Sequence, residues 1–306
     1  MALKKNVLIT GGSGYLSGRI GNFLIKEKFN VRFASRKKKI RKNFSYINWN
    51  SSKSIKKNFT DIDSIIHTAG PNYDECKKNF NKSKKFYDKI TKKIIYIANQ
   101  CKIKKIIFFS TIMVYDQNLK IISEKTKKFS KDNYAKLNLI AENHILNYLP
   151  QTKLNRIVVR ISNAIGAPIN KSANCWHLLC NNICKSLILK NKIILDTNGQ
   201  QKKNFISINE ICKKIKYLLN SNKNNISINL VSNHNLKVLE ITNIIKMIYE
   251  KIYKKKSIIK IGNKRVKNNF KKINTIYNFN KIKNNNMELL KTEIKNTLLF
   301  CKKTFK

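Results

Sequence analysis

Between Thr10 and Gly18 the chain reads Thr-Gly-Gly-Ser-Gly-Tyr-Leu-Ser-Gly, set between an apolar run, Lys5 to Thr10, and a helical pattern, Arg19 to Lys28. A glycine at position 11 permits a tight turn, and one at position 14 lets the backbone approach a phosphate at the positive end of the following helix. Gly11, Ser13, Gly14, Tyr15 and Leu16 are therefore expected to hold the pyrophosphate of a dinucleotide. The TGxxGxxG spacing asks for a further glycine at position 17, where this chain has Ser17 with Gly18 beside it. An acidic residue at the end of the next strand would take the ribose hydroxyls of NAD, but the chain has Ala34-Ser35-Arg36-Lys37 there. A hydroxyl and a guanidinium suit a 2′-phosphate, so Ser35 and Arg36 point to NADP, with NAD the alternative.

Other chemistry-bearing residues point less far. Cys175, His177, Cys180 and Cys184 cluster and raise the question of a zinc site, yet Ala173 to Lys190 reads as one amphipathic helix without a paired CxxC, so no metal is expected. The seven cysteines read as small buried groups, not a disulfide frame. Asp61 and Asp63 fit a turn at a strand entrance, and His144 and His234 have no partner visible in the sequence. The formal charge is +48, from 64 Lys and Arg against 16 Asp and Glu. These lysines are spread through the chain, in runs such as Lys37–Lys39, Lys127–Lys128 and Lys254–Lys256. A dispersed charge is mainly solvated surface that attracts polyanions without specificity, so an RNA-binding role is the remote alternative. There is no apolar run of about eighteen residues and no export signal, so a cytoplasmic protein without membrane contact is expected.

The elements that must position the loop follow from hydrophobic periodicity. Strands are expected at Lys5–Thr10, Asn30–Ala34, Ile47–Trp49, Asp63–Thr68, Lys105–Ser110 and Arg156–Ile161. Helices are expected at Asn79–Cys101 and Tyr134–Leu149. Strands alternating with helices imply an α/β fold, a Rossmann-type doubly wound parallel sheet. A smaller, mainly C-terminal region follows, with helices at Asn174–Lys190, Asn209–Leu219, Val238–Tyr253 and Met287–Phe300, and short strands between. Gly262 to Asn286, poor in apolar residues, reads as a long loop. The expected division is a dinucleotide-binding domain over 1–165, joined again by a strand near 226–232, and a substrate-binding region over 166–306.

From Val7 to about Val231 the chain resembles the extended short-chain dehydrogenases/reductases, the nucleotide-sugar epimerases and dehydratases. The resemblance rests on His67-Thr68-Ala69-Gly70, on Phe109-Ser110-Thr111-Ile112-Met113-Val114-Tyr115, and on Tyr134-Ala135-Lys136-Leu137-Asn138 with Ala141-Glu142 after it. It also rests on Arg160 to Pro168 and on Gly199 to Ile206, which is similar to the family's GxxxRDFI. By this resemblance Thr68, Ala69, Gly70, Asn50, Ser110 and Tyr134 join the cofactor site. Thr111 takes the position of the catalytic serine or threonine and Tyr134 that of the acid/base tyrosine. Asn163 and Lys203 then face the diphosphate of a nucleotide-sugar. The family's lysine, four residues after the tyrosine, is replaced by Asn138, which brings no charge, and Lys203-Asn204 stands for arginine-aspartate. Lys136 lies two residues from Tyr134 and so points away.

The resemblance implies an NAD(P)-dependent oxidoreductase or epimerase of a nucleotide-sugar, in polysaccharide or cell-surface glycan synthesis. It also implies a homodimer through the two long helices. Asn138 raises the alternative of a cofactor-binding sensor or partner subunit without efficient catalysis.

Overall fold

The computed structural model describes residues 5–37, 43–116, 118–266, 270, 272–276, 279 and 286–306. In chain order the elements are β1 (Asn6–Thr10), α1 (Tyr15–Lys26), β2 (Asn30–Ser35), β3 (Phe44–Tyr46), α2 (Ser52–Phe59), β4 (Ser64–His67), α3 (Tyr73–Lys78), α4 (Phe80–Gln100), β5 (Lys105–Thr111), β6 (Ile121–Ile122), α5 (Asn133–Asn147), β7 (Asn155–Ile161) and β8 (Asn163–Ile165). They continue with α6 (Leu179–Lys190), β9 (Lys192–Thr197), β10 (Lys202–Ser207), α7 (Ile208–Asn220), β11 (Ile226–Leu230), β12 (Asn235–Lys237), α8 (Val238–Tyr253), β13 (Ile258–Lys264), β14 (Lys272–Ile273) and α9 (Asn286–Phe305).

Seven strands form one sheet in the order β11-β7-β5-β4-β1-β2-β3. The pairings of β1 with β2 and β4, of β4 with β5, of β5 with β7 and of β2 with β3 are all parallel. The order reverses at β1, the crossing point at which doubly wound sheets take their ligands. Val7, Leu8, Ile9 and Thr10 are all buried, because both faces of a parallel sheet are covered. On one face Leu8, Ile65, Ile106 and Val158 pack against Ile55 and Phe59 of α2, Ile94 and Ile95 of α4, and Leu137 and Ala141 of α5.

The chain divides into two compact units. The first comprises Met1–Asp116, Thr126–Ile161 and Ile215–Asn229, and the second Gln117–Lys125, Ser162–Lys214 and Leu230–Lys306. In the second unit, α6, α8 and α9 pack on one another around Ile183, Leu187, Ile241, Ile245, Ile294 and Leu298. Its strands form a three-stranded sheet, β12-β10-β8, and the pairs β13-β9 and β14-β6.

Four local readings change. The third strand is Phe44–Tyr46, ahead of Ile47–Trp49, and α2 and α3 are helices that periodicity did not mark. Helix α6 starts only at Leu179. Before it, Trp176 stacks on Phe300 with centroids 6.0 Å apart, meets Phe305 edge-on at 5.0 Å, and donates from Nε1 to the Lys171 carbonyl at 2.9 Å. Cys175, Trp176 and His177 thus belong to a turn fixed by α9. In the expected loop Gly262 to Asn286, Gly262–Lys264 completes β13 and Lys272–Ile273 forms β14. The loop positions 267–269, 271, 277–278 and 280–285 lie outside the described residues. Among the described residues, no helix is long and apolar enough to cross a membrane.

Candidate active site

The glycine loop leaves β1 in a conformation its sequence requires. Gly11 has φ +72°, and a Cβ there would lie 2.9 Å from Thr68 Oγ1 and 3.1 Å from the Ala69 nitrogen. Only glycine accepts both constraints without strain. The Gly14 N–H donates to the Gly11 carbonyl at 2.8 Å, and Gly14 becomes the N-cap of α1 with no side-chain cap. No acidic residue lies in the first turn of α1. The helix therefore presents the positive end of its dipole, with exposed Gly14 in front of it, where a phosphate would bind. Ser17, the departure from the glycine pattern, is buried and donates from Oγ to the Gly11 carbonyl at 2.6 Å, which closes the turn by side chain. The close helix–strand approach falls instead on Gly21, where a Cβ would be 2.1 Å from Phe33 Cζ.

At the end of β2, Ser35 Oγ lies 3.4 Å from Ser13 Oγ and accepts from the Lys37 N–H at 3.1 Å. Arg36 and Lys37 are exposed beside it. Asn50 is exposed, and its carbonyl accepts from Lys93 Nζ at 3.1 Å. The end of β4 is fastened to β1: Thr68 Oγ1 donates to the Thr10 carbonyl at 2.6 Å, and His67 Nδ1 lies 2.6 Å from Thr10 Oγ1. Complete burial pushes the His67 imidazole down to about 3, so it is a neutral packing group between Trp49 and Phe108. Ala69 and Gly70 follow, half-buried, and Gly70 touches Tyr87: a Cβ there would lie 2.8 Å from its hydroxyl.

Beneath Ser110 and Thr111 runs a buried polar network. Ser110 Oγ donates to Glu142 Oε1 at 2.5 Å. Arg160 binds the same carboxylate in fork geometry, from Nε at 3.0 and 3.2 Å and from Nη2 at 2.6 Å. Arg160 Nη1 donates to the Tyr115 hydroxyl at 2.6 Å, and that hydroxyl donates to Asn229 Oδ1 at 2.9 Å. Burial would lower the Arg160 pKa, but Glu142 and Tyr115 outweigh it and hold the guanidinium charged. The network ties β5, α5, β7 and β11 together, and so fixes the strand carrying Thr111 against the helix carrying Tyr134. Thr111 Oγ1 itself accepts from the Met113 N–H at 3.2 Å, capping a turn of 3-10 helix over Ile112–Val114.

Tyr134, Asn138 and Glu142 follow at intervals of four on one stripe of α5, which Asp132 caps through the Ala135 N–H at 3.1 Å. Tyr134 is half-buried and meets the Tyr73 ring edge-on, with centroids 6.2 Å apart. Asn138 is 1% exposed and donates from Nδ2 to the Tyr134 carbonyl at 2.9 Å. Burial, with Cys76 and Asp132 nearby, raises the Tyr134 phenol to about 12, against a small opposing contribution from the Asn138 amide. Lys136 is exposed, as its position along the helix requires.

In the second unit, Asn163 on β8 pairs with Phe205 on β10, and its Nδ2 donates to the Asn204 carbonyl at 2.8 Å. Lys203 precedes that residue on β10 and is exposed. Asn204, where the family pattern has aspartate, is buried and donates to the Ser232 carbonyl at 2.8 Å and to Asn235 Oδ1 at 2.9 Å. A carboxylate could supply neither donor, so asparagine suits this position in this chain.

The sequence profile of the NAD dependent epimerase/dehydratase family matches residues 7–231. The chain belongs to this family. As a family member it is 24% identical over 184 residues to UDP-arabinose 4-epimerase 1 of Arabidopsis thaliana, a match covering 53% of this chain and 43% of the plant protein. It thus spans less than half the length of the curated relatives it matches. Among solved structures it is similar to UDP-N-acetylglucosamine 4-epimerase from Methanobrevibacter ruminantium M1 in complex with UDP-N-acetylmuramic acid, with TM-score 0.81 and 19% identity over 97% of this chain and 98% of that one. UDP-glucuronic acid 4-epimerase from Bacillus cereus, in complex with UDP-glucuronic acid and NAD, gives TM-score 0.76 and 16% identity over 98% of this chain and 100% of that one. At such identities the likeness is one of fold.

In this family member the first unit brings together the glycine loop, the ends of β2 and β4, Ser110, Thr111, Tyr134 and Asn138, and the second holds Asn163 and Lys203 on neighbouring strands. Sequence reasoning missed Cys76 and Tyr87, which flank Tyr134 from α3 and α4, and the part Arg160 plays. Only the Ala-Glu after the tyrosine hinted at Glu142. His144 has partners after all: Nδ1 lies 3.0 Å from Thr91 Oγ1 and Nε2 3.3 Å from Asp88 Oδ1. Asp63 accepts from the Asn6 N–H at 2.9 Å and from Lys104 Nζ at 3.0 Å, a strand-entrance role. Among the described residues, no group of three or more His, Cys, Asp or Glu side chains is placed to hold a metal ion.

Proposed function

We propose that this chain is an NAD(P)-dependent oxidoreductase or epimerase of a nucleotide-linked sugar, serving polysaccharide or cell-surface glycan synthesis in the cytoplasm. The observation that carries this reading is the half-buried Tyr134 phenol on α5, in the same compact unit as the glycine loop and held against Thr111's strand by the Glu142–Arg160 network. A bound nicotinamide dinucleotide supplies hydride transfer to or from a sugar carbon.

The chain's own residues do the rest. Gly11, Ser13, Gly14, Tyr15 and Leu16 bind the pyrophosphate, and Ser35 and Arg36 take a 2′-phosphate. The lack of a carboxylate at the end of β2 supports NADP over NAD. Asn50, Thr68, Ala69, Gly70 and Ser110 line the remainder of the cofactor. Thr111 hydrogen-bonds the reacting oxygen, and Tyr134 exchanges its proton with it. Asn163 and Lys203 hold the diphosphate, Lys203 as a point charge without the planar fork of arginine. Two copies pair through the outer faces of α4 and α5, which pack on each other within one chain.

The test is titration with NADPH and NADH, then a screen of nucleotide-sugars for absorbance change or epimerised product. Activity should vanish in Tyr134→Phe while NADPH affinity stays within about threefold. A Tyr134→Phe variant as active as the wild type would refute the assignment. A chain that binds NADPH, turns over nothing and gains activity only as Asn138→Lys would place it among non-catalytic cofactor binders.

A further inference from the structure

At the outer edge of the seven-stranded sheet, β3 and α2 border a cavity of about 590 Å³, within the range of about 300–1,000 Å³ that small-molecule pockets occupy. Its lining shares no residue with the glycine loop or with the groups around Tyr134. Asn58 lines the cavity at 4% exposure and locks its two walls together. Its Nδ2 donates to the Tyr46 carbonyl at 3.1 Å and to the Ser54 carbonyl at 2.9 Å, and its Oδ1 accepts from Ser45 Oγ.

The lining carries three cations, Arg32, Lys53 and Lys57, and no carboxylate. Arg32 is anchored by Nη1, which donates to the Thr60 carbonyl at 3.2 Å. Lys53 and Lys57 stand one turn apart on α2, both exposed, and among the described residues neither has a hydrogen-bond or ion-pair partner. Like charges at that spacing repel, a cost that an anion seated between them removes. Two hydroxyls add to the donor set. Ser51, the N-cap of α2, accepts at Oγ from the Ser54 N–H at 3.2 Å, and Ser54 Oγ accepts from the Asn48 N–H at 2.9 Å. Each oxygen is held by a backbone donor, so each O–H proton is left to be given. No acidic residue lies in the first turn of α2 to oppose an anion there. Tyr46, 48% exposed, adds an aromatic ring to the same lining. A concave shape, hydroxyls preset by backbone bonds and an aromatic ring set this place apart from the lysines dispersed over the rest of the chain.

We propose that this cavity is a nucleotide site separate from the cofactor site: Lys53, Lys57, Ser51 and Ser54 hold the phosphate of a mononucleotide, and Tyr46 stacks on its base. Ammonium groups and hydroxyl protons together suit a phosphate dianion, and an exposed ring takes the flat face of a base. An RNA strand offers both groups as well, but a cavity of this volume suits a single nucleotide and not a continuous backbone.

The test is titration calorimetry with AMP in about 0.15 M salt, where loose surface attraction is largely screened, with excess NADPH added first. AMP should still bind. Lys53→Gln/Lys57→Gln should weaken it by at least about tenfold, and the same change at Lys302 and Lys303, exposed on α9, by less than about twofold. Tyr46→Ala should weaken AMP by about tenfold and leave inorganic phosphate unchanged. AMP should also slow amide exchange at Ser51 to Asn58, a reading that decides in the wild type alone if a variant does not fold. Equal AMP affinity in the wild type and Lys53→Gln/Lys57→Gln overturns the proposal, as does slowed exchange only outside that segment. A short RNA that binds where AMP does not overturns it too, and assigns the charge to polyanions. The comparison of variants reads this cavity alone, so it stands whether or not the chain takes NADPH.

Discussion

Replacing Arg160 by methionine should reveal how much of the site's order rests on one buried ion pair. Arg160 and Glu142 are 1% and 3% exposed, and three hydrogen bonds join them. Removing the guanidinium leaves the carboxylate buried with the Ser110 hydroxyl donating to it, and takes a donor from Tyr115. Breaking a buried pair from one side costs about 3–5 kcal/mol, because the stranded charge keeps its full desolvation penalty. In a chain of this size each kcal/mol lowers Tm by roughly 2–4 °C, so Arg160→Met should melt on the order of 10 °C below the wild type. The double variant Glu142→Leu/Arg160→Met removes both charges and takes the acceptor from the Ser110 hydroxyl, while Tyr115 keeps Asn229, a cost of about 1–3 kcal/mol. It should therefore be more stable than either single variant. The assay is a double-mutant cycle by urea denaturation and thermal melting, read with probes in both units because a chain with two compact units need not unfold in one step. A cost below about 1 kcal/mol for Arg160→Met, or a double variant whose loss equals the sum of the singles, would refute the reasoning.

Further outcomes follow from single positions. Gly11→Ala forces a Cβ at φ +72° to within 2.9 Å of Thr68, so it should cost about 1–3 kcal/mol of stability and weaken NADPH binding, measured by melting and fluorescence titration. Arg36→Ala should weaken NADPH binding by roughly 10- to 100-fold, the loss of a charge-assisted hydrogen bond, and leave NADH binding unchanged. His67 has its folded pKa depressed from 6.5 to about 3, so its contribution is fully present above pH 6.5 and lost as pH falls toward 3. Between pH 7.5 and 5 the wild type should lose about 2 kcal/mol more than His67→Gln in parallel urea titrations. Lys105 is buried and its Nζ caps the end of α7 through the carbonyls of Leu218, Leu219 and Ser221. Lys105→Met strands those acceptors and should cost about 1–3 kcal/mol, seen as faster amide exchange at the end of α7.

Much of the first unit was legible because its signals are local. A strand, a glycine turn and a helix start are written in adjacent residues, and the positive φ of Gly11 is what such a turn needs. The period of four that sets Tyr134, Asn138 and Glu142 on one stripe of α5 is likewise a property of the helix alone. The start of α6 was not legible: the amphipathic period runs on through Cys175 and Trp176, and contacts of Trp176 with Phe300 and Phe305 on α9 override it.

The sequence by itself determined a glycine-rich turn between strand and helix, the lack of a carboxylate at the end of β2, and a tyrosine followed four residues on by asparagine. Only the tertiary structure decided what surrounds that tyrosine. Cys76 and Tyr87 reach it from α3 and α4, Asn138 turns inward, and Arg160 crosses from β7 to neutralise Glu142 below. Hydrogen-bond partners and charge environments are set by residues distant in the chain and close in space. They follow from helix packing on the sheet, which no local pattern records.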